Sequence, residues 1–245
     1  MGTAVSIELA DLLPTQTLTA LIGDVCAWLH EVDRRFSTYR ADSEVNRLHR
    51  GELRIEDCSA DLRTVLDACA GLWRETDGYF DAYATGPLDP SGYVKGWSVE
   101  TASQRLAAAG SRHHCINAGG DIRARGRTAA GQPWRVGVRH PWQPDRLSWV
   151  LGVTDLAVAT SGSYERGDHV RNPRSGGPAT GLRSVTVVGP DLALADAYAT
   201  AAFAMGEAGL TWLATLAKRG YESAAVTDDG RAFTSPGLPV ATPAA

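Results

Sequence analysis

HHCINAGGDIRARGRTAAGQPWRVGVRHPWQPDRLSWVLGVTDLAVAT, residues 113–160, is the stretch whose reading decides the fold. Within it, Ile116, Ile122, Trp134 to Val138 and Trp149 to Val153 mark short runs rich in β-branched and aromatic residues. Glycine and proline part them, the pattern of consecutive strands joined by turns. No helical period separates one run from the next, so the β-α alternation of a doubly wound parallel sheet is missing. An α+β architecture follows.

Upstream the chain reads as helices. Met1 to Leu9 alternates enough for one strand; then Leu18, Leu21, Ile22, Val25, Leu29, Val32 and Phe36 recur at three- and four-residue spacing, an amphipathic helix. Ser43, with Asn46 three residues on, caps a short helix ending near Gly51. A further helix runs from Ser59 to Thr76 and is stopped by Asp77-Gly78; Gly78 to Gly92 is loop. The stretch DPSGYVKGW, Asp89 to Trp97, then leads a helix that Gly110 ends. Downstream come a strand at Ser184 to Val188, helices at Leu192 to Met205 and Leu210 to Leu216, and a closing hairpin of Glu222 to Val226 with Arg231 to Phe233. No linker divides the chain, so residues 1–235 are expected to form one domain of mixed or antiparallel sheet with packed helices, and residues 236–245 a frayed tail.

Of the 245 residues, 44% are hydrophobic and 21% charged, ordinary for a globular protein. A net charge of −4 leaves no footprint for nucleic acid. The N-terminus lacks a signal-peptide pattern and no run is long enough to span a membrane, which makes a cytoplasmic protein the expectation if Met1 is the native start. Four cysteines without ligand-like spacing read as structural thiols, with Cys26 and Cys69 on apolar helix faces.

Several places carry chemistry. In DPSGYVKGW, a turn, Gly92 and Lys95 meet a helix start, a candidate phosphate cradle or an ordinary surface turn. Asp196 and Thr200 share a helix face in an alanine-rich setting, where a carboxylate needs a partner or a hard cation; the alternative is a helix-start aspartate with Thr200 bonded back to its own helix. Before Asp121, Gly119-Gly120 permits close approach of a ligand or makes a bulge. Asp121 itself suits a polar contact to a base or ribose, or caps a turn. His169, in a polar irregular stretch, is the histidine best placed for a general base, or is inert. Tyr79, Phe80 and Asp81 offer aromatics for a planar ring with a polar edge, or a satellite cluster under a loop.

Taken in order, MGT at 1–3, FSTYRADSEVNRL at 36–48, TDGYFD at 76–81, DPSGYVKGW at 89–97, INAGGDIRARG at 116–126, ATSGSYERG at 159–167, HVRNP at 169–173 and ADAYATAAFAMG at 195–206 resemble the ApbE-like FAD:protein FMN transferases. The resemblance implies an enzyme that binds FAD in a cleft with Mg²⁺ on its pyrophosphate and transfers FMN to a threonine of an acceptor flavoprotein, releasing AMP. It implies Asp196, Thr200 and the Gly92 carbonyl as metal ligands, Met1, Tyr79, Phe80, Asp81, Asp89 and Lys95 as FAD contacts, and His169 as the base; the reading of the residues adds Asp121 and His169 to the FAD-binding set and Lys95, as a charge on the phosphates, to His169 as catalytic. In place of the family's small-residue run before the lysine stands Tyr93, expected to reshape the flavin side, and Glu100 replaces an aspartate. Two other functions use the same site: FAD pyrophosphatase, with water in place of threonine, and flavin binding without turnover.

Overall fold

A computed structural model describes residues 3–163 and 170–241. In chain order these form β1 (Val5–Leu9), α1 (Thr15–Phe36), α2 (Glu44–His49), a 3-10 turn (Ile55–Asp57), α3 (Ala60–Glu75), α4 (Ser91–Ala108), β2 (His114–Ala118), β3 (Asp121–Arg125), β4 (Trp134–Arg139), β5 (Leu147–Val153), β6 (Ala157–Gly162), β7 (Leu182–Gly189), α5 (Leu192–Met205), α6 (Ala208–Thr215), a second 3-10 turn (Leu216–Arg219), β8 (Glu222–Thr227) and β9 (Ala232–Thr234). One antiparallel sheet runs β1-β2-β3-β6-β7-β8-β9, and β4 with β5 forms a separate hairpin. The α+β reading holds, with the sheet antiparallel throughout these pairs. Helices α1 to α4 are inserted between the neighbouring strands β1 and β2, and α5 and α6 between the neighbours β7 and β8. Both groups of helices contribute to one large core against the sheet, while β4, β5 and Leu238 enclose a smaller core with Val158 and Val188 from its other face.

Helix α1 buries Leu21, Val25, Trp28, Val32 and Phe36, the stripe its spacing predicts, and sets Trp28 edge-on to Trp97 of α4. Cys26, expected on that apolar face, is exposed instead; Cys69 is buried, and burial pushes its thiol up to about 12. The central element is α5, buried on every side because its alanines leave room for neighbours all round. The closest neighbour is α4. A Cβ built on Gly96 would stand 2.5 Å from the Leu192 carbonyl oxygen and 3.0 Å from Asp196 Cβ, so only glycine lets the two helices approach this far.

Three expectations are corrected. Gly119 and Gly120, with φ of +61° and +99°, are the two central residues of a tight hairpin in which Ala118 pairs with Asp121, not a bulge. Strand β6 was not singled out, because Ala157 to Gly162 is made of small residues with little strand signature. Finally, the tail from residue 236 is held as far as Ala241: Leu238 is buried, the Gly152 N–H donates to the Pro239 carbonyl and the Ala241 N–H to the Val150 carbonyl. Among the described residues no helix is long and apolar enough to cross a membrane.

Candidate active site

A cleft of about 290 Å³ opens where five segments meet, at the small end of the usual size for ligand pockets. The end of α1 and the following loop bring Phe36, Ser37, Thr38 and Tyr39; the loop before α4 brings Tyr79, Phe80, Asp81 and Asp89. The start of α4 supplies Gly92 and Lys95, the end of β6 Thr160 and Ser161, and α5 Asp196 and Thr200. Val170 and Arg171 close the rim. Of the residues singled out in the sequence, Tyr79, Phe80, Asp81, Asp89, Gly92, Lys95, Asp196 and Thr200 all line this one cleft. Asp121 is not on its wall. Met1 and His169 lie outside the described residues.

The floor is electrostatic. Lys95 Nζ lies 2.5 Å from Asp121 Oδ2 and 3.7 Å from Asp196 Oδ1. Each carboxylate has its other oxygen tied to the backbone: the Thr160 N–H donates to Asp121 Oδ1 at 3.2 Å, and the Gly96 N–H to Asp196 Oδ2 at 3.2 Å. That Gly96 N–H is the group that a regular α-helix gives to the Gly92 carbonyl. Burial, and next the charge of Asp121, push the Asp196 carboxyl up to about 8, with Lys95 opposing. The alternative of a helix-start aspartate is excluded, because Asp191 fills that place, accepting the Leu194 N–H at 2.9 Å. The Thr200 hydroxyl meets the Ser161 hydroxyl at 3.3 Å.

One glutamate locks these elements together. Glu100 of α4 is ion-paired with Arg123 of β3 at 2.8 Å and accepts hydrogen bonds from Arg125 at 3.3 Å and from the Leu192 N–H that begins α5 at 3.1 Å. The carriers of Lys95, Asp121 and Asp196 are thereby held in register.

Two local readings change. The first N–H of α4 is not left for a phosphate: Ser91 N–H donates to Asp89 Oδ1 at 3.0 Å. Tyr93 does not line the cleft; it is turned into the core, where burial, then the charge of Asp191, pushes its hydroxyl up to about 12. Phe80 serves both readings made of it, packed in the large core while its edge reaches the cleft. Tyr79 is stacked under Arg174, whose guanidinium carbon lies 4.7 Å from the ring centre.

The rim holds residues that sequence reading quoted without assigning. Asn46 donates from Nδ2 to the carbonyls of Ser37 at 3.4 Å, Thr38 at 3.0 Å and Arg40 at 2.8 Å, which shapes the loop presenting Tyr39. Asn172 likewise accepts the Arg174 N–H at 2.9 Å and so folds the segment beyond Arg171. An asparagine three residues after a cap serine was the available signal for the first.

The donor set fits a hard divalent cation. Asp196 Oδ1 and the hydroxyls of Thr200 and Ser161 are oxygen donors, and two buried carboxylates share one ammonium, a crowding of like charge that a divalent cation would relieve. Among the described residues no group of three or more His, Cys, Asp or Glu side chains gathers as a metal cage, so backbone, hydroxyl or ligand oxygens would have to complete the shell.

Fold and site together define an α+β protein with a cleft apolar and aromatic on its walls and charged on its floor. The ApbE family model matches residues 1–86 and 84–223, and the chain belongs to that family. It is 32% identical over 231 residues to a FAD:protein FMN transferase of Rhodobacter capsulatus, covering 89% of this chain and 40% of that protein. To the FAD:protein FMN transferase of Haemophilus influenzae it is 25% identical over 274 residues, covering 84% of this chain and 79% of the relative. Among solved structures, the flavin transferase ApbE from Vibrio cholerae superposes with a TM-score of 0.82 at 23% identity, covering 96% of this chain and 94% of that one. The ApbE protein from Thermotoga maritima gives 0.84 at 22% identity, with the same coverage. These structures share the fold.

Proposed function

We propose that the chain is a FAD:protein FMN transferase, taking FAD into the cleft and passing its FMN half to a threonine hydroxyl of an acceptor flavoprotein. The observation that carries this reading is the meeting of Lys95, Asp196 and Thr200 on the floor of a cleft walled by Tyr39, Tyr79 and Phe80. Cationic and metal-binding groups at one end and flat rings at the other suit a flavin joined to a pyrophosphate. The curated relatives named FAD:protein FMN transferase support the same reading.

Asp196, Thr200 and the Gly92 carbonyl would hold Mg²⁺, which when bound supplies charge neutralisation on the pyrophosphate. Lys95 sets a fixed positive charge at the cleft floor, against the phosphoryl oxygens where negative charge grows. In the transfer, the threonine oxygen forms a bond to the FMN phosphorus as the bond from that phosphorus to the bridging oxygen breaks, and AMP leaves with that oxygen. His169 takes the hydroxyl proton. The walls orient the ring so that this phosphorus meets the incoming oxygen, and Asp89 and Asp81 offer acceptors for the polar edges of the flavin.

The test is incubation with FAD and Mg²⁺, with and without a domain bearing an acceptor threonine, and resolution of products by mass. FMN-bearing acceptor and AMP, formed only together, are the expected result. AMP with free FMN in the absence of acceptor would make the chain a pyrophosphatase, and unchanged FAD that co-purifies would make it a flavin-binding protein.

A further inference from the structure

Asp121 cannot touch a ligand in the cleft directly, being 1% exposed and set behind the wall that Lys95 and Thr160 form. Its two oxygens are nevertheless both engaged, one by the Thr160 N–H and the other by the Lys95 ammonium. The same ammonium stands 3.7 Å from Asp196 Oδ1, which is too long for a hydrogen bond but too close for that oxygen to receive a second cation if the lysine moved nearer. Lys95 therefore lies between two carboxylates and is held by the one farther from the cleft. The β2–β3 hairpin, closed by Gly119 and Gly120, and the Glu100 bridge to Arg123 fix the place from which Asp121 does this.

We propose that Asp121 is a positioning residue that holds the Lys95 ammonium off Asp196, which leaves Asp196 Oδ1 open to a divalent cation and keeps Lys95 facing the substrate phosphates. This rests on the metal reading given above and assigns Asp121 a part in it without direct ligation. When Asp121 loses its charge, Asp196 is the carboxylate that the described residues still set beside the ammonium, and that carboxylate is the proposed metal ligand. The lysine then competes with the cation for Asp196.

The experiment is Mn²⁺ titration followed by electron paramagnetic resonance, without FAD and without turnover, on wild-type protein, Asp121→Asn, Lys95→Met and the double variant. Asparagine keeps an oxygen for the Thr160 N–H, so the hairpin is preserved while the charge is removed. Asp121→Asn is expected to weaken Mn²⁺ binding by at least about tenfold, the scale of one unscreened neighbouring charge. Adding Lys95→Met should restore it to within about threefold of wild type, because the competitor is gone. Unchanged affinity in Asp121→Asn would overturn the proposal. So would a double variant as weak as the single, which would make Asp121 a direct ligand. If Asp121→Asn fails to fold by circular dichroism, Asp121→Ser, which keeps an oxygen for the Thr160 N–H, replaces it alone and with Lys95→Met, and the same two outcomes decide. Wild-type protein that takes up no Mn²⁺ would overturn the metal assignment itself, and this inference with it.

Discussion

On the floor of the cleft, Lys95, Asp121 and Asp196 stand on α4, β3 and α5, and each is fixed by the register of regular elements. At the rim, Thr38 and Tyr39 stand on a loop whose shape comes from the single side chain of Asn46. On the floor Asp121 and Asp196 are buried, Lys95 is half-buried, and the three depend on one another's charge; Tyr39 is 98% exposed. The difference separates two tasks. Charged groups acting on a phosphoanhydride need fixed positions and a low local dielectric, which only packed elements provide. A flat ring needs surface that is ready to be covered, which a pinned loop provides at little structural cost. Substitutions on the floor should therefore change chemistry more than folding, and those at the rim affinity more than chemistry.

Asp196→Ala is the strongest break of that contrast. Mg²⁺-dependent turnover should fall on the order of 10³-fold, about 4 kcal/mol, because the main anionic metal ligand is gone. Stability should not fall with it. Asp196 carries a carboxyl raised by burial and by Asp121, so the fold holds that charge at a cost, and alanine removes the cost. Thermal melting should be unchanged or higher beside the lost activity. Retained turnover would sink the ligand assignment, and a collapsed melt would make Asp196 a structural residue.

Beneath the floor, His114 tests the same contrast with protons. Its ring is fully buried on β2, with Nε2 at 2.8 Å from the Ser103 hydroxyl of α4 and Nδ1 at 3.2 Å from the Ser111 hydroxyl. Burial, then the Arg125 charge, push its pKa down to about 4 from the ordinary 6.5. The unfolded chain consequently takes up the proton first. Stability is complete above pH 6.5 and is lost as pH falls toward 4, by a total of about 3 kcal/mol. Urea unfolding between pH 7 and pH 4.5 should show this loss in wild-type protein and a shallower one in His114→Gln. Parallel curves would mean that other groups govern the acid limb.

What the sequence revealed follows the same division. Asp196 and Thr200 could be singled out because a carboxylate among alanines on a helix is costly without a partner, although their neighbours in the chain left the helix-start reading open. The strand order was not legible; the turns without intervening helices pointed to a mixed or antiparallel sheet, and its pairs are antiparallel. Asp121 was misread because its meaning depends on a hairpin that points it at a lysine 26 positions earlier, a contact no local pattern contains. Thr160 and Ser161, quoted within ATSGSYERG, were given no role because β6 is built of small residues. Cys26 was placed inside because the spacing of one apolar stripe does not fix how wide the buried face will be. Tyr93 was given to the cleft because it lies two residues before Lys95, yet residues two apart on a helix point about 200° apart, on nearly opposite sides.

Asn46→Ala should have the smallest effect and is the sharpest test of the rim. The Asn46 amide donates to three carbonyls of one loop, so alanine leaves those carbonyls to water and lets Tyr39 wander. Because the loop is solvent-accessible, global stability should drop by no more than about 1 kcal/mol. FAD affinity, read from quenching of flavin fluorescence, should weaken by about five- to thirtyfold, the ordering entropy now being lost on binding. Single-turnover transfer at saturating FAD should be nearly unchanged. Asn46→Asp sharpens the comparison, since a carboxylate keeps the shape but donates nothing and faces three carbonyl oxygens. It should bind FAD more weakly than the alanine variant does. If aspartate proves milder than alanine, the loop is held by packing and not by the amide; if saturating FAD fails to recover the transfer rate in Asn46→Ala, the rim takes part in the chemistry and the division between floor and rim does not hold.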